Sequence, residues 1–383
     1  MHRPPLAWLA LALGLVLSSC EPFTAWYDYS AYEPQLQYSG RMDFTLSEEG
    51  PVWAFPGTSV RFRCNCTGVD VAFEDQGTGG PEHTNWVNVI VDGETEAKVQ
   101  LVPGKAQMLR GARNLKAGEH TIEIVKRTEA YVGPVRFIGV GLQGILLDPP
   151  PRPERRLEIV GDSISCGYGN EASINTSNKY TEPNTGFNSK NEDISQAYGA
   201  FLGQRFDAEV MHSCISGTGM YRNNTGATEG TYPDRYGRIL PDDEASVWDF
   251  SLFVPDIVII NLGNNDFNVI NPEDDLPTTP EPGPFKETYA KFVQRLRGYY
   301  PSAHIICSVG PMMNDNYPKD RQHWTKMQKY TSDMVASLGD PRVHYFAYTP
   351  IPTGPYGEDW HPTANSHRAM ADEIGKFIQT LGW

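Results

Sequence analysis

The feature that most constrains this chain of 383 residues is a serine at the end of a predicted strand. The mainly apolar run Leu157–Val160 is typical of a buried strand, and Gly161, Asp162 and Ser163 follow it directly. In open α/β sheets, ligands and reacting groups collect at the carboxyl ends of the strands. The pattern therefore predicts an α/β sheet that carries a serine hydroxyl at its reactive edge.

A candidate base for this serine lies near the other end of the chain. A serine becomes a nucleophile only when a base takes its proton. In the segment Glu358–Pro362, two acidic residues and a tryptophan precede His361. An acid that orients an imidazole is the usual third member of a serine hydrolase site. Ser163 and His361 together predict hydrolytic acyl transfer.

Composition excludes one broad class of partner. The formal net charge is −15 and no basic patch is visible, whereas phosphate binding needs clustered lysine and arginine, so we expect no nucleic acid partner. Hydrophobic residues make up 39% of the chain, which is enough for packed cores. At about 150 residues per domain, the length predicts about two domains.

The first 20 residues predict an export signal. His2 and Arg3 form a short basic start, and the apolar stretch Leu6–Leu17 is too short for a membrane span but suits a signal peptide. The segment Leu17–Cys20 resembles a bacterial lipoprotein processing site, with Cys20 as the lipidated residue. The alternative is ordinary secretion with cleavage nearby. We expect an exported protein, either a cell-surface or periplasmic lipoprotein or a secreted one, whose membrane contact is limited to that anchor.

Turn spacing divides the rest of the chain near residue 150. Residues 21–40, rich in aromatics and proline, are predicted to form a linker or an extended strap. Between residues 41 and 148, short runs such as Trp86–Gly93 and Gly118–Val125 recur between turn signals, which is typical of a β-sandwich or jelly roll. After the proline-rich connector Asp148–Pro153, strands alternate with helices over residues 154–383. This alternation indicates a mainly parallel sheet.

One predicted helix of the second domain shows a clear apolar face. Residues 285–296 place five large side chains at helical spacing, and these are Phe285, Tyr289, Phe292, Val293 and Leu296. The run His304–Val309 follows as a buried strand, and residues 255–260 form another. The final helix is predicted over about 364–381.

Five cysteines follow Cys20, an odd number that leaves at least one unpaired. Cys64 and Cys66 would face the same side of a strand. Their spacing is not that of a zinc site, and no histidine pair accompanies them, so no structural metal is expected. Cys166 and Cys214 both follow predicted strand ends, which allows a disulfide between them.

Two further segments place hydrogen-bond donors at strand ends. Ser216–Gly219 follows the strand Val210–Ile215, and Asn261–Asp266 follows the strand that ends at Ile260. Acyl transfer needs preorganised donors aimed at the developing oxyanion, each worth about 3 kcal/mol. A glycine amide and an asparagine side chain are suitable donors, although each segment taken singly is also typical of an ordinary strand–helix turn.

Four segments, taken together and in this order, resemble the conserved blocks of the SGNH (GDSL-type) hydrolases. They are Gly161–Ser163, Ser216–Gly217, Gly263–Asp266 and the acid-rich block Glu358–His361. The resemblance covers roughly residues 155–383 and implies a three-layer α/β/α, flavodoxin-like fold with a Ser-His-Asp or Ser-His site. It implies Ser163 as the nucleophile and His361 as the general base. The amides of Ser163 and Gly217 and the side chain of Asn265 would form the oxyanion hole. Ser165 stands where the nucleophile elbow of α/β-hydrolases has its second glycine, so that family does not fit.

Three longer segments look more specifically like carbohydrate esterase family 2: Gly161–Gly169, Gly219–Asn223 and Asp359–Pro362. Enzymes of this family also resemble the chain in layout, with a jelly roll before the hydrolase domain. The resemblance implies removal of O-acetyl groups, with primary 6-O acetates favoured, from plant polysaccharides such as xylan and mannan, without a cofactor. Trp360 would then offer an aromatic surface to a sugar ring, and Asp266 is a second substrate-binding candidate.

The sequence leaves open which group orients His361. The broader family implies an aspartate three residues before the histidine, where this chain has Glu358. The carbohydrate esterases commonly have an aspartate two residues before it, as Asp359 is here, and some members are thought to work as dyads. Glu358 is the first choice, with Asp359 or a backbone carbonyl as the alternatives.

The leading prediction is a serine esterase that removes O-acetyl groups from xylan- or mannan-type hemicellulose by two-step acyl transfer. One alternative is an esterase for other acyl substrates, such as peptidoglycan or capsule acetates or lipids. The other is a surface carbohydrate-binding protein with secondary hydrolysis.

Overall fold

The computed structural model describes residues 25–77, 79–80, 83–172 and 185–383. The predicted export signal, with Cys20, lies outside the described residues. Two main sheets organise the described part of the chain, one of nine strands and one of five. Among the helices described, we find none long and apolar enough to cross a membrane.

The N-terminal domain is an all-antiparallel sheet folded over its own core. Its strands are β1 (Tyr27–Ser30), β2 (Gln37–Ser39), β3 (Val52–Trp53), β4 (Ser59–Asp75), β5 (Trp86–Val91), β6 (Glu94–Gln100), β7 (Ala106–Arg113), β8 (Glu119–Lys126) and β9 (Val135–Leu147). The order is β1-β9-β4-β8-β5-β6, with β2 and β7 also paired to β4 and β3 to β9. The segment 21–40, predicted as a linker or strap, supplies β1 and β2.

Period-two burial explains the long central strand β4. Val60 and Phe62 are fully buried, whereas the alternating Arg61 and Arg63 are only half-buried. The first half of β4 pairs with β8 and the second half with β7, so this one strand contributes to both sides of the folded sheet. This architecture confirms the predicted all-β domain.

The disulfide allowed between Cys166 and Cys214 is not formed. Both thiols are free and buried, and the structure instead pairs Cys64 with Cys66 on one face of β4. The thiol of Cys166 donates a weak hydrogen bond to the carboxylate of Glu129, 3.8 Å away. Burial raises the pKa of the Cys166 thiol, which keeps it protonated.

The second domain is a parallel sheet between two helical layers, as predicted. Its strands, in the order β11-β10-β12-β15-β16, are β10 (Arg155–Gly161), β11 (Ala208–Cys214), β12 (Ile257–Asn261), β15 (His304–Val309) and β16 (Val343–Ala347). A separate hairpin joins β13 (Ile270–Asn271) and β14 (Leu276–Pro277). The helices are α1 (Ser163–Cys166), α2 (Tyr198–Phe206), α3 (Tyr232–Arg235), α4 (Pro282–Tyr299), α5 (His323–Leu338) and α6 (Ala364–Thr380).

Strand β12 shows why the sheet needs helices on both faces. Ile257 and Ile259 pack into the core under α2 and α6, whereas Val258 and Ile260 pack into the core under α4 and α5. All four are fully buried. The five residues predicted as the apolar face of α4 are its buried residues, and burying each such side chain contributes roughly 1.5–3 kcal/mol.

The two domains meet through buried charges. The run Lys126–Glu129 leaves β8 with all four side chains fully buried. The guanidinium of Arg127 lies 3.1 Å from the carboxylate of Asp193 and donates to the carbonyl of Glu192 at 3.0 Å, both in the second domain. The ammonium of Lys126 donates to the carbonyl of Glu129 at 3.0 Å. Each buried charge therefore has a partner, as the low dielectric of an interior requires.

A second buried ion pair joins the domains at another point. Arg41, between β2 and β3, lies 3.1 Å from Glu158 on β10, and neither side chain is exposed. The guanidinium also lies over the ring of Tyr236, 4.8 Å from its centroid.

We expect Arg41→Ala to lower the free energy of unfolding by about 3–5 kcal/mol, because it leaves the Glu158 carboxylate buried without its cation. Urea denaturation measures the change. The matched control is Arg63→Ala, whose partner Glu119 is 63% exposed; its loss should stay below about 1 kcal/mol. Equal losses in the two variants would contradict the prediction.

Candidate active site

The turn after β10 presents Ser163 at the carboxyl edge of the parallel sheet. Ser163 is the first residue of α1, and the carboxylate of Asp162 caps this helix by accepting the amide of Ile164 at 3.1 Å. Gly161 leaves the space that the turn needs, because a Cβ there would lie 2.0 Å from the hydroxyl of Ser165. Ser163 itself is half-buried.

His361 meets Ser163 although 198 positions separate the two residues. Its Nε2 lies 2.8 Å from the hydroxyl oxygen of Ser163. The imidazole is 8% exposed, and the ring of Tyr168 stacks on it with the centroids 4.2 Å apart. The pair has the geometry of a nucleophile and its base.

The group that orients His361 is a backbone carbonyl. The Nδ1 of His361 lies 3.0 Å from the carbonyl oxygen of Glu358. Because a carbonyl only accepts, Nδ1 carries the proton and Nε2 is left to accept from Ser163. The choice of the Glu358 carboxylate is therefore corrected: the structure favours the carbonyl alternative and a dyad.

Neither acidic side chain hydrogen-bonds to the imidazole, and both hold neighbouring loops. The Glu358 carboxylate accepts from the side chain of Asn191 at 2.6 Å and the amide of Asn188 at 2.9 Å. The Asp359 carboxylate accepts from the hydroxyl of Tyr168 at 2.7 Å and the amide of Gly186 at 3.0 Å. Their role is to brace the turn that presents the carbonyl.

That turn holds two residues in left-handed backbone conformation. Asp359 has φ 47° and Trp360 has φ 63°, which costs roughly 1–3 kcal/mol for each non-glycine residue. Gly169 packs beneath the turn, where a Cβ would lie 2.4 Å from that of Glu358. The surrounding hydrogen bonds keep the chain in this shape, and the shape aims the Glu358 carbonyl at His361.

Burial lowers the pKa of His361 to about 4. The low-dielectric surroundings disfavour the imidazolium, and the hydrogen bond to the Glu358 carbonyl and the charge of Asp359 oppose this effect only in part. At neutral pH the imidazole is therefore uncharged and able to accept a proton.

The predicted oxyanion-hole residues are gathered beside Ser163. Gly161 pairs with Cys214 on β11 and with Asn261 on β12, so the loops that follow these two strands flank the serine. The side-chain nitrogen of Asn265 donates to the carbonyl of Thr218 at 2.9 Å. Among the described residues, the amides of Ser163 and Gly217 have no acceptor, which leaves both available to an oxyanion.

Comparison with known proteins agrees with this geometry. Residues 157–374 match the model of the GDSL-like Lipase/Acylhydrolase family, and residues 38–151 match that of the Carbohydrate esterase 2 N-terminal domain. The solved structure of a family two carbohydrate esterase from Clostridium thermocellum, in complex with cellohexaose, is 32% identical with a TM-score of 0.80. The alignment covers 91% of this chain and 99% of the Clostridium thermocellum chain. This chain belongs to carbohydrate esterase family 2.

Curated relatives of this esterase carry related names. Cellulase/esterase CelE of Acetivibrio thermocellus is 34% identical over 91% of this chain, which spans 40% of CelE. An acetylxylan esterase / glucomannan deacetylase of Cellvibrio japonicus is 27% identical over 98% of both chains. A family two carbohydrate esterase structure from Cellvibrio japonicus has 25% identity and a TM-score of 0.77, covering 93% of this chain and 98% of its own.

The two predicted substrate-binding residues of the esterase differ in accessibility. Trp360 is 36% exposed beside His361 and is free to meet a ligand. Asp266 is fully buried, and its carboxylate accepts the amides of Met220, Tyr221 and Arg222 at 2.7–2.9 Å. Its prediction as a substrate contact is therefore corrected: Asp266 holds the loop after Gly219. Within the described ranges, no cluster of three or more histidine, cysteine or acidic residues is arranged for a metal.

Sequence reasoning missed two residues that contact the site of the esterase. Tyr168 covers His361 and binds Asp359, and Glu129 of the N-terminal domain accepts the amide of Ser216 at 3.0 Å. The available signal for Glu129 was weak. A run of four polar residues after a strand is more typical of a solvated turn than of a buried contact.

The pH profile of the esterase should reveal the neutral imidazole. Because the pKa of His361 is lowered to about 4, kcat/KM for an aryl acetate should be constant near neutrality and fall only as pH drops through about 4. Circular dichroism at each pH verifies that the protein stays folded. Tyr168→Ala should expose the ring and move the acid limb toward 6.5, the ordinary histidine value. A wild-type limb at 6.5 would contradict the assignment.

Replacing the acidic side chains should separate a dyad from a triad. We expect Glu358→Gln and Asp359→Asn each to lower kcat by less than about tenfold, since the carbonyl at 358 is retained, whereas loss of a true orienting carboxylate costs about 10⁴-fold. Steady-state kinetics on an aryl acetate measure the change, with His361→Ala as the inactive reference. A loss near 10⁴-fold in either variant would restore that side chain as the acid.

Proposed function

We propose that this esterase removes O-acetyl groups from xylan- or mannan-type polysaccharides by acyl transfer through Ser163 and His361. The 2.8 Å contact between the two side chains is the observation that carries the proposal. The name of the Cellvibrio japonicus relative, acetylxylan esterase / glucomannan deacetylase, supports the substrate class, because that protein aligns over 98% of this chain.

The first step acylates the serine. The Nε2 of His361 takes the proton of the Ser163 hydroxyl while the oxygen attacks the acetyl carbonyl carbon. The oxyanion that develops accepts hydrogen bonds from the Ser163 and Gly217 amides and from the side chain of Asn265. Preorganised donors of this kind stabilise the transition state more than the ground state.

Departure of the sugar completes acylation, and hydrolysis then returns the enzyme to its starting state. The imidazolium of His361 gives its proton to the departing sugar oxygen, which releases the deacetylated sugar. A water molecule, deprotonated by the same nitrogen, then attacks the acetyl-serine, and the imidazolium returns this proton to the Ser163 oxygen as its bond to the acetyl group breaks and acetate leaves. Throughout, the Nδ1–H of His361 donates to the Glu358 carbonyl, which holds the ring in one tautomer.

The surroundings of Ser163 include an aromatic surface. Trp360 is exposed next to the dyad and supplies an apolar face against which a sugar ring can stack.

We also propose that the chain acts outside the cytoplasm, where plant polysaccharides are met. The predicted export signal in residues 1–20 supports this, with either lipidation at Cys20 or cleavage nearby.

A second candidate function is binding of unacetylated β-glucan chains at the same cleft. The observation that favours it is the relative from Clostridium thermocellum, whose structure is described in complex with cellohexaose. Titration calorimetry of Ser163→Ala with cellohexaose tests it, since binding would persist without the nucleophile. Absence of binding to both wild type and variant would remove this candidate.

Acetate release from acetylated xylan and acetylated glucomannan tests the main proposal. We expect Ser163→Ala to lower the rate by at least about 10³-fold, because the nucleophile is lost while the fold is kept. The matched control is Ser165→Ala, which removes a buried hydroxyl that contacts Tyr198 at 2.9 Å and should change the rate only a few fold. Near wild-type activity in Ser163→Ala would refute the proposal. Cleavage of an aryl acetate without release from either polymer would point to other acyl substrates.

A further inference from the structure

A carboxylate from the N-terminal domain contacts the loop that carries Gly217. Glu129 follows the buried end of β8 and is fully buried. One of its oxygens accepts the amide of Ser216 at 3.0 Å, and the other accepts the Ser216 hydroxyl. Ser216 immediately precedes Gly217, so the contact acts one residue away from the predicted oxyanion donor.

The turn at Gly217 is held by hydrogen bonds from several elements. Gly217 has φ +75°, in the left-handed region, and glycine moves easily between this region and others. On one side of the turn, Glu129 holds the amide and hydroxyl of Ser216. On the other side, Asn265 holds the carbonyl of Thr218 at 2.9 Å. Within the turn, the amide of Asn224 donates to the Gly217 carbonyl at 3.0 Å and the Thr218 hydroxyl to the Ile215 carbonyl at 2.7 Å. Of these anchors, Glu129 is the one that comes from the other domain.

The surroundings of Glu129 fit a carboxylate that accepts hydrogen bonds. Besides the two from Ser216, it receives a weak one from the thiol of Cys166. The neighbouring Glu192 is also fully buried, and its Oε2 accepts the amide of Glu129 at 2.9 Å. Burial and the adjacent carboxylate raise the pKa of Glu192 well above its ordinary value. Burial raises the pKa of Glu129 as well. Because an amide N–H can only donate, the Glu129 oxygen that faces the Ser216 amide is an acceptor.

We propose that Glu129 is a positioning residue for acyl transfer, which the N-terminal domain supplies to the active site. Its carboxylate orients the Ser216–Gly217 turn so that the Gly217 amide meets the oxyanion formed on Ser163. The inference rests on the proposed function, since it takes Ser163 as the nucleophile and Gly217 as a donor. It assigns the N-terminal domain a part in the chemistry as well as in the fold.

The test compares Glu129→Ala and Glu129→Gln with wild type on p-nitrophenyl acetate and with phenylboronic acid as inhibitor. A boronic acid forms a tetrahedral adduct with a reactive serine, which places an oxygen in the oxyanion hole. For Glu129→Ala we expect kcat to fall about 10²-fold, the scale of losing one oxyanion donor, with KM changed less than threefold. The inhibition constant should rise by a similar factor. Glu129→Gln should lose about tenfold, because its amide oxygen still accepts from Ser216.

The inhibition constant separates positioning from a structural defect. Partial unfolding reduces the number of active molecules and hence the apparent kcat, but it leaves the inhibition constant of the remaining molecules unchanged. The matched control is Ser39→Ala, which removes another contact between the domains, the hydrogen bond from Ser39 to Glu209 at the opposite end of β11. Both constants of this control should stay within twofold of wild type.

Ser216→Ala tests the same contact from its other side. It removes the hydroxyl bond to Glu129 and keeps the amide bond, so we expect roughly a tenfold parallel change in kcat and inhibition constant. If Glu129→Ala does not fold, Ser216→Ala and Glu129→Gln together decide whether Glu129 positions the turn. A folded Glu129→Ala with both constants within threefold of wild type would overturn the inference, as would a fall in kcat without a rise in the inhibition constant. Turnover retained by Ser163→Ala, with wild type insensitive to the boronic acid, would instead overturn the proposed function.

Discussion

The structure depends on the compensation of a few charges buried where the two domains meet. A charge removed from water is costly unless hydrogen bonds and an opposite charge replace its hydration. Arg127 and Glu129 leave the end of β8 and find these partners in the loops that follow α1 and β11. Because good compensation demands close geometry, the jelly-roll domain fixes the shape of loops that belong to the catalytic domain. The domain boundary in the sequence is therefore not a boundary in the active site.

The parts of this arrangement that the sequence predicted are those with a local signal. Strand β12 is buried on both faces and reads as a continuous apolar run, and the spacing of buried residues in α4 is that of a helix. Ser163 was predicted as the nucleophile because it follows a strand directly, and the carboxyl end of a parallel strand is where such folds place reacting groups. His361 followed from the need for a base, and the structure brings the two together.

The errors concern groups whose role depends on tertiary contacts. Asp266 and Glu129 are acidic residues, and nothing in their neighbours along the chain distinguishes a buried acceptor of amide hydrogen bonds from a solvated side chain. The Glu358 carboxylate was chosen by its distance in sequence from His361, yet the left-handed turn at Asp359 directs the carbonyl there instead. A disulfide between Cys166 and Cys214 was allowed by their places after two strands, but proximity alone does not oxidise two thiols, and Cys166 donates to Glu129.

The carbonyl of Glu358 has a consequence for how this site is inherited. Every amino acid carries the same carbonyl, so the group that contacts His361 does not come from the side chain at position 358, which acts only by bracing the turn. What evolution must preserve is the path of the main chain. This path depends on the left-handed residues 359 and 360 and on the space left by Gly169. The orientation of His361 is therefore set by backbone conformation. A change in the packing under the turn can therefore abolish this orientation while every residue that touches the substrate stays the same.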